Sequence, residues 1–404
     1  MMPSHPLRFA ISTVALSFAF ATPAIPQVNS IKIGVLTVRT GPATPIGDDI
    51  VAGIETAVRM YGTVLGRPVE LVVEDSLFNP QNSVTKATKL VQHNQVSGIL
   101  GTSSIETLAL LPVADRIGVP IITSNSGSPA AITREKCSKW VFRTNPEDHM
   151  SIHSLQQIIA QTPRLQNAKW FTLGHDYPWS RLVAGSVKEV KNLTYVGDTF
   201  APLDTTDWAP FIARARSAGA TAVIMPVTLG TPLLQFIQQA NEFGLTKEAV
   251  LVAPIGLPDW LVAKLGALST TVVSAGSWAA WRYEESDATT KAFNEAFYKQ
   301  HGRVAGMQSL QSASAALMLY NAMTKAGSTD PDAVIKALET IEVRTPVGPL
   351  KFQPGGRQAL ASLFMGPYEA VTPPRYGAQY AQRPEPFPAS RSLPESAAQL
   401  GCKL

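Results

Sequence analysis

The 404-residue sequence predicts an α/β fold of two doubly wound parallel-sheet lobes. Three observations carry that expectation. Strand-like apolar runs alternate with helical patterns over short connections. The strands are nearly continuous in hydrophobicity, as strands covered on both faces must be. The alternation also stops and restarts midway along the chain, which implies a second sheet.

The elements follow in order. SIKIGVLTV is an apolar strand, and GDDIVAGIETAVRMYG places Ile50, Val51, Ile54, Ala57 and Val58 on one helix face. VELVVED is the next strand, and NPQNSVTKATKLVQH is a helix announced by Asn79 and Pro80. VSGILG, IETLALLPVADRIG and VPIIT then read strand, helix, strand. After WVFRTNPEDHM the pattern begins again, through HSLQQIIAQ, NAKWFTLG, WSRLVAGSVKEV, LTYVGDTF, DWAPFIARARSAG, TAVIMPV, TPLLQFIQQANEFG and VLVAP. VVSAGSW is a further strand. The helical stretches ATTKAFNEAFYKQHG, QSLQSASAALMLYNAMTKAG and DPDAVIKALETI are best explained by the chain returning to complete the first lobe. From residue 372 proline thickens and periodicity is lost, so residues 372–404 read as an extended tail.

Composition narrows the function classes. With 45% hydrophobic and 16% charged residues, the chain is neither disordered nor filled with membrane spans. A net charge of +4 is mild, and Lys and Arg are scattered, so no nucleic-acid surface is expected. Residues 1–24 read as an export signal: Arg8 gives a basic end, residues 9–20 are apolar, and Ala19-Phe20-Ala21 supplies the small residues of a cleavage site. An uncleaved anchor is the alternative. Cys137 and Cys402 are the two cysteines, and they fit one disulfide formed in an oxidising compartment better than two free thiols.

Two of the strands end in hydroxyl clusters. VSGILG runs into Thr102, Ser103 and Ser104, and VPIIT runs into Ser124, Asn125, Ser126 and Ser128. Thr40 follows the first strand in the same way. In open parallel sheets, ligands gather at the carboxyl ends of the strands, where helices begin and backbone N–H groups are unpaired. Each cluster on its own would serve as a helix cap. Together they suggest a polar cradle for a small carboxylate-bearing ligand. No catalytic, metal or cofactor site emerges beside it. The sequence has no G-x-S-x-G elbow, no H-E-x-x-H, no phosphate-binding loop and no G-x-G-x-x-G. His149 and His153 are four apart without an accompanying Glu motif, and His175-Asp176-Tyr177 stands without an activated nucleophile.

The order and spacing of IKIGVLTVRTGPATPIG, GRPVELVVEDSLFNPQNSVTKATKLV, GILGTSSIETLALLPVADRIGVPIITSNSGSPAAIT, FRTNPEDH, HDYPWSRLVAGSV, DTTDWAPFIARARSAGATAVIM and TPVGPLKFQPGGRQ are specific. Across residues 31–368 the chain resembles the periplasmic substrate-binding proteins of ABC importers, of the leucine/isoleucine/valine-binding, two-lobed type I class. The resemblance implies three crossovers between lobes, with residues 31–146 and 275–345 in lobe one and residues 147–274 and 346–371 in lobe two. It implies a periplasmic monomer that captures a small molecule by hinge closure and delivers it to a membrane permease. A ligand-sensing regulatory protein of the same fold is the alternative.

The resemblance also implies site residues. Ser104, with Ser103 beside it, matches the carboxylate-binding position, and Ser126 and Gly127 match the next strand-end pair. Trp179 and Ile46 fall where aromatic residues are usual, and Thr228 lies in the second-lobe loop that reaches the ligand. Ile255 stands where amino-acid binders carry an acid that pairs with the ligand's ammonium. Either Asp176, Glu106 or Asp259 replaces that acid, or the ligand has no α-amino group. The second alternative points to an organic or aromatic acid, with Arg39 or Arg143 meeting its carboxylate. Trp278 and Trp281 read equally well as core.

Overall fold

The computed structural model describes Met1 and residues 29–41, 43–127, 137–227, 230–353 and 356–387. The expected export segment, Ser128, Thr228, Cys402 and the side chains of His149 and His153 lie outside the described residues. Cys137 is described and is not a free thiol. No helix among the described residues is long and apolar enough to cross a membrane.

The first lobe builds as the alternation predicts. Its elements are β1 (Ile31–Thr37), α1 (Thr44–Tyr61), β2 (Thr63–Val64), β3 (Arg67–Asp75), α2 (Pro80–Gln92), β4 (Ile99–Leu100), α3 (Ser104–Leu110), α4 (Ala114–Ile117), β5 (Ile121–Thr123) and β6 (Val141–Arg143). The strand order is β2-β3-β1-β4-β5-β6, parallel except for the short β2–β3 hairpin. Asn79 caps α2 by accepting from the Asn82 N–H, and Pro80 occupies its first turn, where a missing N–H costs nothing.

The second lobe follows with α5 (Asp148–Gln161), β7 (Lys169–His175), α6 (Pro178–Lys188), β8 (Thr194–Ala201), α7 (Ala209–Ser217), β9 (Ala222–Ile224), α8 (Thr231–Glu242), α9 (Leu245–Glu248), β10 (Val250–Ala253), α10 (Asp259–Leu265) and β11 (Val272–Ser277). Strands β8-β7-β9-β10-β11 are parallel neighbours, and β9, β10 and β11 are buried along their whole length.

The chain then returns, as expected, through α11 (Ala288–His301), α12 (Met307–Ala326) and α13 (Pro331–Leu338). Helix α12 is buried on nearly every side and lies against α1. The Ser309 hydroxyl donates to the Asp49 carbonyl at 3.0 Å, and Ser312 donates to the Ile50 carbonyl at 2.9 Å. Gly53 makes that approach possible: a Cβ there would sit 2.2 Å from the Ser309 carbonyl oxygen.

The final strands correct the sequence boundaries. β12 (Glu342–Thr345), β13 (Gly348–Phe352) and β14 (Ala359–Leu360) form a separate antiparallel sheet beside α11 and α12, so residues 348–360 do not extend the second sheet. β11 belongs wholly to the second sheet, beyond the boundary expected at residue 275. β15 (Leu363–Arg375) pairs antiparallel with β11, and β16 (Ala378–Gln382) and β17 (Glu385–Phe387) pair with β15. Residues 372–387 are therefore sheet, not tail. Proline was a misleading signal because Pro373 and Pro374 fall where the pairing of β15 with β16 shifts register, and Pro386 lies in the short outer strand β17, places where proline costs little.

The chain passes between the sheets after β6, after β11 and before β15, giving the three expected crossovers. At the first of them Arg143 is fully buried. Its Nε donates to Gln358 Oε1 at 2.5 Å, its Nη1 donates to the Ser126 carbonyl at 3.2 Å, and its amide donates to the Arg357 carbonyl at 2.8 Å. The lobes also meet at the start of α12. Asp49 of lobe one pairs with Arg303 at 2.5 Å. A Cβ on Gly306 would lie 2.6 Å from Asp49 Oδ2 and 3.7 Å from Asp259 Oδ2, so a carboxylate from each lobe reaches the same spot. Burial first, and the Asp49 charge second, push Asp259 up to about 7, with Arg303 and the Met307 N–H opposing.

Two predictions follow from this packing. Gly53→Ala forces α1 and α12 apart and costs about 1–3 kcal/mol, read as a lower urea midpoint. For Asp259, the native state holds a proton that the unfolded chain has lost between the ordinary value of 3.8 and about 7, so its contribution to stability falls as pH rises through that window. Asp259→Asn, which mimics the protonated form, should therefore lose less stability than the parent between about pH 4 and about pH 7. Parallel pH–melting curves for the two proteins would contradict the assignment.

Candidate functional site

The carboxyl ends of both sheets open on one cavity. Thr37 and Val38 end β1, Phe78 follows β3, Ser103 and Ser104 follow β4, and Asn125 and Gly127 follow β5. From the second lobe come Tyr177 and Trp179 after β7, Ile255 after β10 and Trp278 after β11. Ile46, Ile50, Glu106 and Gln308 complete the wall from helices.

The structure thus brings together Ile46, Ser103, Ser104, Gly127, Trp179 and Ile255 from the residues expected by sequence. Ser126 is buried beside them. Its carbonyl accepts from Arg143 and from Asn145 Nδ2, and its N–H donates to Asn145 Oδ1 at 3.2 Å, while its hydroxyl has no partner among the described residues. Thr228 lies outside the described residues.

Thr40 is a correction. It is exposed and absent from the cavity wall, and its hydroxyl donates to Asp75 Oδ2 at 2.7 Å. Asp75 also accepts from the Arg39 and Leu77 amides, each at 2.9 Å, and so ties the end of β1 to the end of β3. Burial raises the pKa of this carboxyl, but the donors outweigh burial and hold it below the ordinary carboxylate value. Thr40 serves that loop, not the cavity.

The hydroxyl clusters divide by role. Thr102 and Thr123 are buried and knit β4 to β5, with the Thr123 hydroxyl donating to the Thr102 carbonyl at 2.7 Å. Ser103 precedes α3, and its N–H donates to Glu106 Oε2 at 3.0 Å, with its hydroxyl directed to the same oxygen. The Ser104 hydroxyl, on the wall, makes no hydrogen bond among the described residues.

The charged candidates separate as cleanly. Arg39 is half-exposed and paired with Asp48 at 2.6 Å, and Arg143 sits at the crossover, so neither lines the cavity. Asp176 is exposed and paired with Arg181, and Asp259 lies at the lobe contact. Of the three substitute acids only Glu106 faces the cavity. Trp278 combines both of its readings, buried in the core and lining the wall, whereas Trp281 packs edge-on against Tyr376 at 5.8 Å. His175 is buried against Trp208, ring centroids 5.0 Å apart, and burial pushes it down to about 4. Among the described residues no group of His, Cys, Asp and Glu could hold a metal ion.

Sequence reasoning missed Phe78, Tyr177 and Gln308. Phe78 has a signal in its backbone, since Leu77 and Phe78 both adopt φ of 53°. Two consecutive left-handed non-glycine residues cost about 1–3 kcal/mol each, and such strain clusters at functional sites. Gln308 comes from the returning helix α12, far along the chain from the other wall residues.

With the geometry in place, comparison with known proteins decides the family. Residues 30–370 match the family model described as periplasmic binding protein. The chain belongs to that family. A Leu/Ile/Val-binding protein homolog 7 from Brucella suis is 28% identical over 377 residues, covering 87% of this chain and 92% of the relative. An ABC transporter substrate-binding protein from Sphaerobacter thermophilus shares the fold with a TM-score of 0.80 at 24% identity, covering 89% of this chain and 98% of that one. A solute-binding protein of an ABC transporter from R. palustris, solved in complex with 4-hydroxybenzoate, superimposes with a TM-score of 0.79 at 23% identity, covering 89% and 97% of the two chains. As a periplasmic binding protein, this chain is a solute-binding component of the kind used by ABC transporters, and the family implies work outside the cytoplasm.

Because its hydroxyl is committed to Asp75, Thr40→Ala should cost about 1 kcal/mol of stability and change ligand affinity less than about twofold. A loss of affinity beyond about tenfold, by calorimetric titration, would return Thr40 to the binding site.

Proposed function

We propose that this periplasmic binding protein captures a small aromatic carboxylate and delivers it to the membrane permease of an ABC importer. The observation that carries the reading is that the cavity wall is shared: one side comes from the strand ends of the first sheet and the other from those of the second. A ligand seated there binds both lobes only when they are closed, so its binding energy favours closure. The closed monomer is then the form that the permease receives.

The wall chemistry supports an aromatic body. Phe78, Tyr177, Trp179 and Trp278 surround the space, and Ile46, Ile50, Val38 and Ile255 fill the gaps between them. Ile255 removes the acid that would pair with an α-ammonium from lobe two, as argued from sequence. The Ser104 hydroxyl, the Asn125 amide and the Gly127 backbone lie on one side as donors for a carboxylate, and the Trp278 Nε1–H is unpaired among the described residues. The solved relative carrying 4-hydroxybenzoate is consistent with such a ligand.

Thermal unfolding with benzoates and with aliphatic amino acids tests this directly. A cognate acid at about a hundredfold its Kd should add about 2.7 kcal/mol of apparent stability, and the acid should be recovered chemically unchanged. Trp179→Ala should weaken that acid by at least about tenfold. A melting curve that moves with leucine and not with any benzoate would overturn the aromatic assignment.

A further inference from the structure

Glu106 is a buried carboxylate facing the cavity, and nothing in the proposed function yet uses it. It is 1% exposed. Its Oε1 accepts from the Ser76 hydroxyl at 2.5 Å, and its Oε2 accepts from the Ser103 amide at 3.0 Å and from the Ser103 hydroxyl. These three donors leave about one of a carboxylate's roughly four acceptor sites open. No Lys, Arg or His lines the cavity, and among the described residues Glu106 enters no ion pair. A buried acid with hydrogen bonds but no counter-charge is poorly compensated, and it gains most from a further donor.

Position sharpens the point. The sheet order is β3-β1-β4-β5, and Ser76 follows β3, so the Glu106 carboxylate is turned toward the β3 side. Asn125 and Gly127 follow β5, on the opposite flank. The acid therefore sits toward the β3 end of the polar wall and the Asn125 and Gly127 donors toward its β5 end, with Ser103 and Ser104 between them. A carboxylate placed at the Glu106 end would meet like charge in a water-poor space, whereas a hydroxyl or ammonium would meet an acceptor.

From this arrangement we infer that Glu106 is a specificity-determining residue that selects aromatic acids carrying a second, hydrogen-bond-donating group. The inference rests on the aromatic-carboxylate reading of the same cavity. Either a ring hydroxyl or an ammonium supplies the chemistry, and matched ligands tell them apart.

The test is calorimetric titration of the full protein with two pairs, each differing by one donor: 4-hydroxybenzoate against benzoate, and L-phenylalanine against 3-phenylpropionate. The donor-bearing member of at least one pair should bind about tenfold tighter or more, because a site built to bond a donor rejects the analogue lacking it. In Glu106→Gln, which keeps an acceptor for the Ser103 amide, that preference should shrink toward unity. Far-ultraviolet circular dichroism confirms that the variant folds, and the comparison on the parent protein stands without the variant. Benzoate binding with no donor preference in either pair overturns the role of Glu106 and leaves the solute reading intact. So does a preference that survives in a folded Glu106→Gln. If none of the four compounds binds, the aromatic-carboxylate reading fails and the inference falls with it.

Discussion

The buried guanidinium of Arg143 is the fixed point on which the rest of the molecule depends. It sits where the chain first leaves the first sheet, and it bonds the loop after β5 through the Ser126 carbonyl and the segment before β14 through Gln358. Gln358 in turn donates to the Asn145 carbonyl at 2.9 Å, and Asn145 clasps both the N–H and the carbonyl of Ser126. The first crossover, the segment before β14 and one flank of the cavity are thereby held to one side chain. A planar group with five donors suits this work, because a lysine ammonium could not reach both acceptors along fixed directions in one plane. Charge buried here is retained as an organiser, and its hydrogen bonds offset the desolvation that its burial costs.

From that anchor the cavity acquires its unequal walls. Lobe one presents short polar residues and an acid at the ends of β4 and β5 beside the apolar Val38, Ile46, Ile50 and Phe78, while lobe two, among the described residues, presents only aromatic and aliphatic side chains. Apolar area in lobe two is left facing water whenever the lobes part, so closure over a ring recovers a hydrophobic term that closure over an empty cleft would not. The contact between Asp49 and Asp259 opposes closure when both are charged, and Arg303 moderates it. The balance between these terms sets how readily the molecule samples its closed form without ligand.

Much of this was legible in the sequence, and the exceptions have physical causes. The alternation of apolar runs and helical faces located the two parallel sheets because strands covered on both sides cannot hide their composition. The hydroxyl clusters located the strand ends, and Ser103, Ser104 and Gly127 do line the cavity. Thr40 misled because a hydroxyl after a strand looks the same whether it faces a ligand or a neighbouring carboxylate; Asp75, 35 residues away, decided it. Gln308 was invisible because it reaches the site from a helix that follows all the parallel strands of the second sheet. The last strands were read as tail because proline speaks against central strands and says nothing against rim ones. Family membership and the cavity agree on solute binding, while the ligand rests on side-chain chemistry that spacing cannot report.

The interleaving of the lobes has a consequence for how the chain acquires its shape. α1 lacks its main helical partner until residues 307–326 exist, and β11 has no outer neighbour until residues 363–375 exist. Neither lobe is a contiguous piece that can mature while synthesis continues, so loop-closure entropy must be met over long sequence separations before packing rewards it. A growing chain of this topology stays unfinished and pliable until residues 363–375 have been made. That is a state in which a polypeptide can still be threaded lengthwise through a narrow pore.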